Sequence, residues 1–399
     1  MTWKNKLKEN ICTIEQLKKH IKLTQYEEKQ LQKVISIHPM SITKYYLSLI
    51  NKNDENDPIK KIIIPSTEEL DLVGSYGTSF EKENTKTVGL QHKYAQTALL
   101  LITNKCAAYC RYCFRKRLVG LPNNEIVKRF SEAVEYIKDH KEINNVLISG
   151  GDSLMLPTDL INKILKTLSN VPQLNFIRFG SRIPVVFPDR ILEDKHLLKT
   201  LKKYSLSTRR IYIITHFDHP REITEKSIEA VDKLIKSNVI LNNQAVLLKD
   251  VNDNPDTLAE LHNKLAVIGI NPYYVFQCRP VKRVKNHFPV PLYEGYNIVE
   301  NAKKKLNGLS KRFRYVMSHR TGKIEIVGIV NDEIYLKYLQ AKNPENAGVI
   351  LKRKLDKTAE WLDDLEEIPT KETFFIKQNS QKNYESMSYF ARIFDMNEI

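Results

Sequence analysis

Apolar side chains in the first part of the chain recur at the spacing of an α-helix. Leu31 and Val34 follow a capping box in which Thr24 and Glu27 can satisfy each other's backbone N–H groups. A polar stretch, NKNDENDP, then ends at a proline and is typical of a loop. The pattern predicts a mainly helical N-terminal region over residues 1–95.

From Thr97 onward, short continuous apolar runs alternate with amphipathic stretches. The runs are ALLLIT (98–103), NVLIS (145–149), NFIRFG (175–180), IYIITHF (211–217), VILNNQAVLL (239–248) and PYYVFQ (272–277). Buried strands that alternate with amphipathic helices indicate parallel βα units. Six such strands fit an open, partial (β/α)6 barrel better than a closed eight-fold one. We therefore predict an α/β fold, with this barrel over residues 96–300.

After residue 300 the pattern changes again. RFRYVM and KIEIVGI are typical of two strands joined by the turn SHRTG. Residues 301–399 are predicted to form a small α+β C-terminal extension.

Residues whose side chains could bind a ligand or react lie directly after the predicted strands. They are the cysteines of CAAYCRYC, GGD (150–152), Arg182, THFDHP (215–220) and QCR (277–279). In βα barrels the reactive groups gather at the C-terminal ends of the strands. The shared placement therefore predicts one site rather than several.

Composition narrows the class of protein. The 399 residues are 42% hydrophobic, and no apolar run reaches the roughly 18 residues that span a bilayer. The opening MTWKNKLKEN has no apolar core after its charges, so we expect a cytoplasmic protein with no membrane partner. The net charge of +16 fits either a nucleic-acid partner or a solvated lysine-rich surface. The second interpretation is favoured, because the lysines are spread out and no nucleic-acid-binding module is visible.

Three of the five cysteines, Cys106, Cys110 and Cys113, lie within eight residues. This clustered, odd set favours a metal or redox site over a disulfide framework. Structural zinc needs four ligands and usually shows two cysteine pairs, whereas an iron–sulfur cluster on three thiolates leaves one iron open for another ligand. Buried structural cysteines are a third interpretation, but coincidence rarely places three so close.

The cysteine segment resembles a known family. CAAYCRYC followed by FRKR resembles the cluster loop of the radical SAM superfamily, and the surrounding sequence resembles the lysine 2,3-aminomutase family. The resemblance covers roughly residues 24–328 and includes YYLSLI, SGGDSLML, HFDHPREIT, NNQAVLLKDVND and NPYYVFQC. It implies a [4Fe–4S] cluster on Cys106, Cys110 and Cys113, with S-adenosylmethionine on the fourth iron. One electron would cleave that molecule to methionine and a 5′-deoxyadenosyl radical.

Several residues at strand ends are candidates for binding S-adenosylmethionine. Gly150 and Gly151 would let the backbone approach a ligand closely, and Asp152 can accept a hydrogen bond from an ammonium group. A tight strand-to-helix turn is the alternative interpretation of Gly-Gly-Asp. Arg182 and His216 either contact S-adenosylmethionine or have buried structural roles.

Aminomutases of this family also use pyridoxal phosphate held on a lysine. Lys323, in HRTGK, stands where the family's glycine-rich lysine loop would be, and a lysine in that role must lose its proton. Lys93 and Tyr94 match the family's phosphate-contacting arginine and ring-stacking tyrosine, whereas Thr97 replaces a second phosphate-contacting arginine. Alternatively, Lys323 is a surface lysine that opens a strand.

The resemblance also assigns substrate contacts. Arg115 matches the arginine that binds the substrate α-carboxylate; the alternative is a solvated member of the basic run. Two aspartates of the family bind the distant ammonium of lysine, but here Arg279 replaces the first, and no carboxylate occurs near Val316 to Ser318, the place of the second. Like charges repel, so we expect a substrate with a side-chain carboxylate, glutamate before aspartate. The alternative is that Arg279 turns outward as part of a basic surface.

Three functions follow, in order of preference. The first is a pyridoxal-phosphate-dependent radical aminomutase that moves an amino group of a free amino acid from Cα to Cβ. The second is a radical SAM enzyme that works without pyridoxal phosphate and consumes S-adenosylmethionine on a protein or RNA group. The third is a non-catalytic metal- or nucleic-acid-binding protein. For the enzyme we expect a flavodoxin- or ferredoxin-type electron donor, and association into a homo-oligomer is left open.

Overall fold

One twelve-stranded sheet runs through the part of the chain that the computed structural model describes, residues 2–78 and 80–368. Its strands lie side by side in chain order: β1 Thr85–Thr87, β2 Leu90–Tyr94, β3 Thr97–Thr103, β4 Asn145–Gly150, β5 Phe176–Gly180, β6 Ile211–Thr215, β7 Ile240–Leu247, β8 Asn271–Gln277, β9 Arg314–His319, β10 Gly322–Val330, β11 Glu333–Ala341 and β12 Ile350–Lys354.

Helices precede the sheet and connect its strands. They are α1 Trp3–Lys8, α2 Ile14–Lys18, α3 Gln25–Ile37, α4 Lys44–Leu47, α5 Pro58–Ile63, α6 Glu81–Asn84, α7 Phe130–Asp139, α8 Thr158–Ser169, α9 Ile183–Val186, α10 Asp189–Leu192, α11 Lys195–Tyr204, α12 Glu225–Lys236, α13 Pro255–Val267 and α14 Leu292–Lys304. One-turn 3₁₀ helices lie at Thr67–Leu70, Ser153–Met155, Pro220–Glu222, Pro344–Asn346 and Leu362–Asp364.

The strands of the central part, β3 to β9, pair in parallel, and antiparallel ribbons flank them on both sides. The sequence dictates this arrangement because each connecting helix has one apolar face. On α8, for example, Ile161, Ile164, Leu165 and Leu168 are buried at helical spacing. Each fully buried aliphatic side chain of this kind contributes about 1.5–3 kcal/mol. The predicted α/β class with a partial barrel is confirmed.

The predicted hairpin of β9 and β10 is present, and its first strand has a second partner in the barrel sheet. All six predicted barrel strands are present, but β9 pairs in parallel with β8, with Tyr274 opposite Arg314. The first strand of the expected C-terminal hairpin therefore extends the barrel sheet, because α14 supplies the crossover connection that a parallel neighbour needs. The N-terminal region also contains two strands, β1 and β2, besides its helices.

The proposed boundaries at residues 95 and 300 stay a prediction, and strand pairing crosses both positions. Residues 369–399, the end of the predicted C-terminal extension, lie outside the described residues. Among the described residues, no helix is both long enough and apolar enough to cross a lipid bilayer.

The N-terminal region holds the cysteine-bearing loop that follows β3. The backbone N–H groups of Tyr109 and Arg111 donate to the carbonyl oxygens of Ser41 and Ile62 at 2.9 and 2.8 Å. Two segments far apart in sequence are thus joined by main-chain hydrogen bonds.

A buried ion triad reinforces this junction. The Glu69 carboxylate, which is fully buried, accepts from Arg111 Nε at 2.8 Å and Nη2 at 2.6 Å, and lies 2.7 Å from Lys116 Nζ. Burial would raise the pKa of Glu69, but the two cations outweigh burial and lower that pKa to about 2. Because Arg111 and Lys116 flank Cys113, the triad fixes the middle of the cysteine loop.

We predict that replacing Glu69 by glutamine lowers the free energy of unfolding by at least about 3 kcal/mol at pH 7, because two buried cations lose their partner. The folded-state pKa of Glu69 is lowered from 4.5, so the stabilisation is present above pH 4.5 and is lost as the pH falls to about 2. Urea unfolding of the metal-free protein under reducing conditions, followed at several pH values, measures both effects.

Glu15→Gln is the matched control, since Glu15 is 80% exposed and lies 3.9 Å from Lys18 Nζ. Its loss should stay below about 1 kcal/mol, as for other exposed pairs. A Glu69→Gln loss no larger than that of the control would contradict a stabilising role for the triad.

Candidate active site

The cysteine loop after β3 and the Gly-Gly-Asp turn after β4 lie in backbone contact. The N–H of Gly151 donates to the carbonyl of Thr103 at 2.5 Å, and the N–H of Asp152 donates to the carbonyl of Lys105 at 2.8 Å. A Cβ added at Gly150 or Gly151 would collide with those same carbonyl oxygens, and Gly150 has a φ of +114°. Only glycine permits this approach, so the turn fixes where the cysteine loop begins.

The three clustered thiols are partly exposed and close enough to influence one another. Burial, Asp152 and the other two thiols raise the pKa of Cys106. Burial raises the pKa of Cys110 to about 11, and the Arg182 guanidinium, whose Nη1 lies 3.0 Å from Cys110 Sγ, opposes that rise. Three neighbouring thiols beside a cationic N–H donor fit an iron–sulfur cluster held by three thiolates, since iron replaces the thiol protons.

Asp152 is buried and bonds protein partners with both carboxylate oxygens. Oδ1 accepts from Ser181 Oγ at 2.7 Å and from the Leu154 N–H at 3.0 Å, and Oδ2 accepts from the Arg182 N–H at 2.7 Å. Burial raises the pKa of Asp152 to about 6 despite these bonds. The carboxylate therefore joins the ends of β4 and β5. This structural role corresponds to the alternative interpretation of Gly-Gly-Asp as a tight turn.

Arg182 and His216 lie on the same side of the sheet as the cysteines. Arg182 Nε donates to the carbonyl of His216 at 2.9 Å. Burial lowers the pKa of the His216 imidazole to about 4, so this ring is neutral at pH 7. His216 is thus an uncharged side chain next to the cysteine loop.

Lys323 opens β10 and points its ammonium toward aromatic rings. Its Nζ lies 4.4 Å from the centre of the Tyr274 ring and 5.8 Å from that of Phe276. Burial, followed by the charges of Arg178, Lys93 and Arg279, lowers the pKa of Lys323 to about 7. The lowered pKa increases the fraction of this amine that is uncharged at neutral pH, which is the form that reacts with an aldehyde. This environment fits pyridoxal phosphate and differs from the alternative of a solvated surface lysine.

Lys93 and Tyr94, at the end of β2, belong to the same neighbourhood. Lys93 Nζ donates to the carbonyl of His319 at 2.5 Å and lies 5.3 Å from the centre of the Tyr94 ring. Burial and the charge of Arg279 lower the pKa of Lys93 to about 7. An anion such as a phosphate would favour the charged form of this amine.

Arg115, two residues after the last clustered cysteine, turns inward. Its Nη1 donates to Ser149 Oγ at 3.0 Å and to the carbonyl of Gly150 at 3.3 Å, and its guanidinium lies 4.5 Å from the centre of the Phe114 ring. Its buried Nε has no hydrogen-bond partner in the described part of the chain. An unpartnered N–H beside two bonded ones fits a carboxylate ligand rather than a solvated surface position.

Arg279 also turns inward and contacts the same Phe114 ring as Arg115. Its guanidinium lies 4.3 Å from the centre of that ring, and its Nη2 donates to Ser318 Oγ at 2.7 Å. Ser318 on β9 pairs directly with Lys323 on β10, so both side chains occupy the same face of the sheet. Arg279 is thereby held beside the lysine, in contrast to the outward orientation considered as the alternative.

Sequence reasoning left several residues of this region without a role. Asp218, Glu222, Tyr46 and Tyr112 form a buried network around the Arg182 guanidinium. Tyr46 and Asp218 lie within the quoted segments YYLSLI and HFDHPREIT, so similarity marked the segments but not the contacts. Arg178, in the middle of β5, reaches the electrostatic environment of Lys323.

Comparisons with known proteins agree with this geometry. Residues 100–262 match the family model of the radical SAM superfamily. The chain is similar to a protein of Aquifex aeolicus provisionally named L-lysine 2,3-aminomutase, with 44% identity over 86% of this chain and 91% of that protein. It is also similar to the L-lysine 2,3-aminomutase of Clostridium subterminale, with 38% identity over 77% of this chain and 73% of that protein. It is also similar to the glutamate 2,3-aminomutase of Clostridioides difficile, with 36% identity over 77% of this chain and 72% of that protein.

These relatives are matched over more than two thirds of both partners, and the matches include the cysteine loop and the strands that carry it. The expected resemblance is confirmed, as is the expectation of an isomerase. The chain belongs to the lysine 2,3-aminomutase family of the radical SAM superfamily, whose enzymes use a [4Fe–4S] cluster and S-adenosylmethionine.

Proposed function

We propose that this chain is a pyridoxal-phosphate-dependent radical aminomutase whose substrate is a free amino acid with a carboxylate side chain, glutamate before aspartate. The observation that carries the proposal is the inward position of Arg279, bonded to the residue directly opposite Lys323. The similarity to a glutamate 2,3-aminomutase is consistent with such a substrate.

The charges near Lys323 favour anions. Arg279 lowers the pKa of both Lys323 and Lys93, which means that these cations interact electrostatically. A lysine substrate would add another ammonium to this group. Two like charges 4 Å apart repel by about 4 kcal/mol at an effective dielectric constant of 20, whereas a carboxylate is attracted by a similar amount. The two cases differ by about 8 kcal/mol, an upper bound of about a millionfold that desolvation of the charged groups reduces.

Each side chain has a definite part in the proposed site. Cys106, Cys110 and Cys113 would hold the cluster, and Gly150 and Gly151, with the neutral ring of His216, would line the space next to it for S-adenosylmethionine. Asp152 and Arg182 bond protein atoms with their polar groups, so we assign them to the support of this space.

The second set of side chains would hold pyridoxal phosphate and substrate. Lys323 would bind the cofactor covalently, Tyr94 would stack on its ring and Lys93 would pair with its phosphate. Arg115 would bind the α-carboxylate through its unpartnered Nε, and Arg279 would bind the side-chain carboxylate. When bound, the cluster and S-adenosylmethionine supply the radical, and pyridoxal phosphate supplies the π-system that lets the amino nitrogen migrate.

We predict that Lys323→Ala abolishes the visible absorption band of protein-bound pyridoxal phosphate, while reductive cleavage of S-adenosylmethionine persists. The first effect follows from loss of the only proposed covalent attachment, and the second from intact cluster cysteines. Lys337→Ala is the matched control, because Lys337 is exposed on the neighbouring strand β11. If Lys323→Ala keeps the band, pyridoxal phosphate is attached elsewhere and the role assigned to Lys323 is wrong. If the unaltered protein never shows the band, the result favours a radical SAM enzyme that works without pyridoxal phosphate on another substrate.

Attachment of pyridoxal phosphate to Lys323 should depend on pH with a midpoint near the lowered pKa of about 7. Below this pH the amine is protonated and unreactive, so attachment increases as the pH rises through 7. Trapping with borohydride and peptide mass analysis measures the labelled fraction. Nα-acetyllysine, whose side-chain pKa is about 10.4, is the reference compound. A midpoint for Lys323 above pH 9 would contradict the desolvated site.

We predict that the reconstituted enzyme converts glutamate to its β-isomer at least about a hundredfold faster, in kcat/KM, than it converts lysine. Arg279→Met should lower kcat/KM on glutamate by about 10- to 100-fold, mainly through KM, because one charge-assisted contact is lost. Product analysis by NMR with glutamate, aspartate and lysine measures these ratios.

Lys282→Met is the control for simple loss of a nearby cation, since the Lys282 ammonium lies 5.9 Å from the centre of the Tyr76 ring in the N-terminal region. Its kinetics should match those of the unaltered enzyme. Turnover of lysine as fast as glutamate, or inactivity on both acidic amino acids with full cofactor content, would contradict the assigned substrate.

A further inference from the structure

We infer that Arg182 is a positioning residue that sets the reduction potential of the iron–sulfur cluster through its N–H···S hydrogen bond to Cys110, with Glu222 and Asp218 as its opposing charges. This inference concerns the ease of the electron transfer that starts the reaction, and it is independent of the substrate and of pyridoxal phosphate.

The Arg182 guanidinium is fixed at all three nitrogens. Nη1 donates to Cys110 Sγ at 3.0 Å, Nε donates to the carbonyl of His216 at 2.9 Å, and Nη2 bonds Glu222 Oε1. Nη2 also lies 3.4 Å from Asp218 Oδ2. The side chain is 9% exposed, so water scarcely weakens these contacts. The donor to Cys110 therefore has a single defined geometry.

The two carboxylates are as firmly held as the guanidinium. Glu222 Oε2 accepts from the N–H groups of Asp218 and His219 at 2.6 and 3.1 Å, and Asp218 Oδ1 accepts from the Val246 N–H at 2.8 Å. Both carboxylates are fully buried.

Two tyrosine hydroxyls complete the network. Tyr46 donates to Glu222 Oε1 and Tyr112 donates to Asp218 Oδ2, and the Arg182 guanidinium lies 5.4 and 5.9 Å from the centres of their rings. The network thus joins α4, the cysteine loop and the segments after β5 and β6 around one thiolate.

The direction of each effect follows from charge. Reduction adds one negative charge to the cluster and its thiolates, so a cationic donor stabilises the reduced state and raises the potential. Two buried carboxylates on the same guanidinium act in the opposite direction. Loss of the arginine and loss of one carboxylate must therefore shift the potential with opposite signs. A purely structural network would not produce this pattern.

The test is an EPR-monitored redox titration of anaerobically reconstituted protein without S-adenosylmethionine, pyridoxal phosphate or substrate. Arg182→Gln should shift the midpoint potential to more negative values. Glu222→Gln, which keeps the shape of the side chain and removes its charge, should shift the potential to more positive values. Arg182→Lys keeps the charge on a shorter donor and should lie between Arg182→Gln and the unaltered protein.

Arg190→Gln is the matched control. Arg190 is likewise fully buried, and its hydrogen bonds go to Asp194, Thr158 and the carbonyls of Leu154 and Leu156. The cluster of the Arg190→Gln variant should have the same midpoint potential as that of the unaltered protein. Iron and sulfide analysis confirms that every sample compared carries a complete cluster.

Equal potentials for Arg182→Gln, Glu222→Gln and the unaltered protein would overturn the inference, as would shifts of the same sign. If Arg182→Gln fails to retain iron, Glu222→Gln decides alone, and an unchanged or more negative potential counts against the proposal. Because the titration uses no substrate and no pyridoxal phosphate, its failure would leave the proposed aminomutase activity standing.

Discussion

Close backbone contact between the turn after β4 and the loop after β3 is the constraint on which the site depends. Gly150 and Gly151 lie so near the carbonyls of Thr103 and Lys105 that no side chain fits between the two segments. Two main-chain hydrogen bonds, from Gly151 to Thr103 and from Asp152 to Lys105, cross this junction. The first clustered cysteine, Cys106, follows directly. Two residues without a Cβ atom thus allow the backbone contact that positions the cysteine loop. The helices and ion pairs of the N-terminal region reinforce that position.

Charge is separated along the carboxyl ends of the strands in a way that suits two successive tasks. Next to Cys110, two buried carboxylates share one guanidinium. Around Lys323 the named charged neighbours are cations, and they lower the pKa of its amine. The first environment lies where the cluster accepts an electron, and the second would suit the anions of the proposed cofactor and substrate. Both environments lie at the carboxyl ends of the strands and therefore belong to one site. Because they are buried, water screens their charges only weakly.

Local patterns in the sequence predicted the helices and strands. Contacts between residues distant in sequence determine the surroundings of the site residues. The cysteine spacing and the alternation of apolar runs with amphipathic helices require only near neighbours, and both predictions agree with the structure. The hairpin of β9 and β10 depends on a local turn and forms as predicted. The additional parallel pairing of β9 with β8 was not foreseen, because β8 lies on the other side of α14 and no local signal shows that a hairpin strand also joins the barrel sheet. Asp152 and Arg182 were identified as candidates because they follow strands. Their hydrogen-bond partners, such as Ser181 for the first and Glu222 for the second, could be found only after folding.

If the substrate is acidic as proposed, the hairpin of β9 and β10 explains how a change of substrate charge can leave the rest of the site intact. Ser318 and Lys323 face each other in register, so whatever side chain occupies position 318 lies beside the lysine. Here a neutral hydroxyl accepts a hydrogen bond from Arg279, whereas the family pattern for lysine places carboxylates near both positions. An arginine opposite an aspartate would form an internal ion pair and lose its charge as a ligand. Serine orients the guanidinium without neutralising it. Under the proposed function, exchange at the two positions is therefore coupled: Arg279 would serve an acidic substrate only when its neighbour on β9 is uncharged.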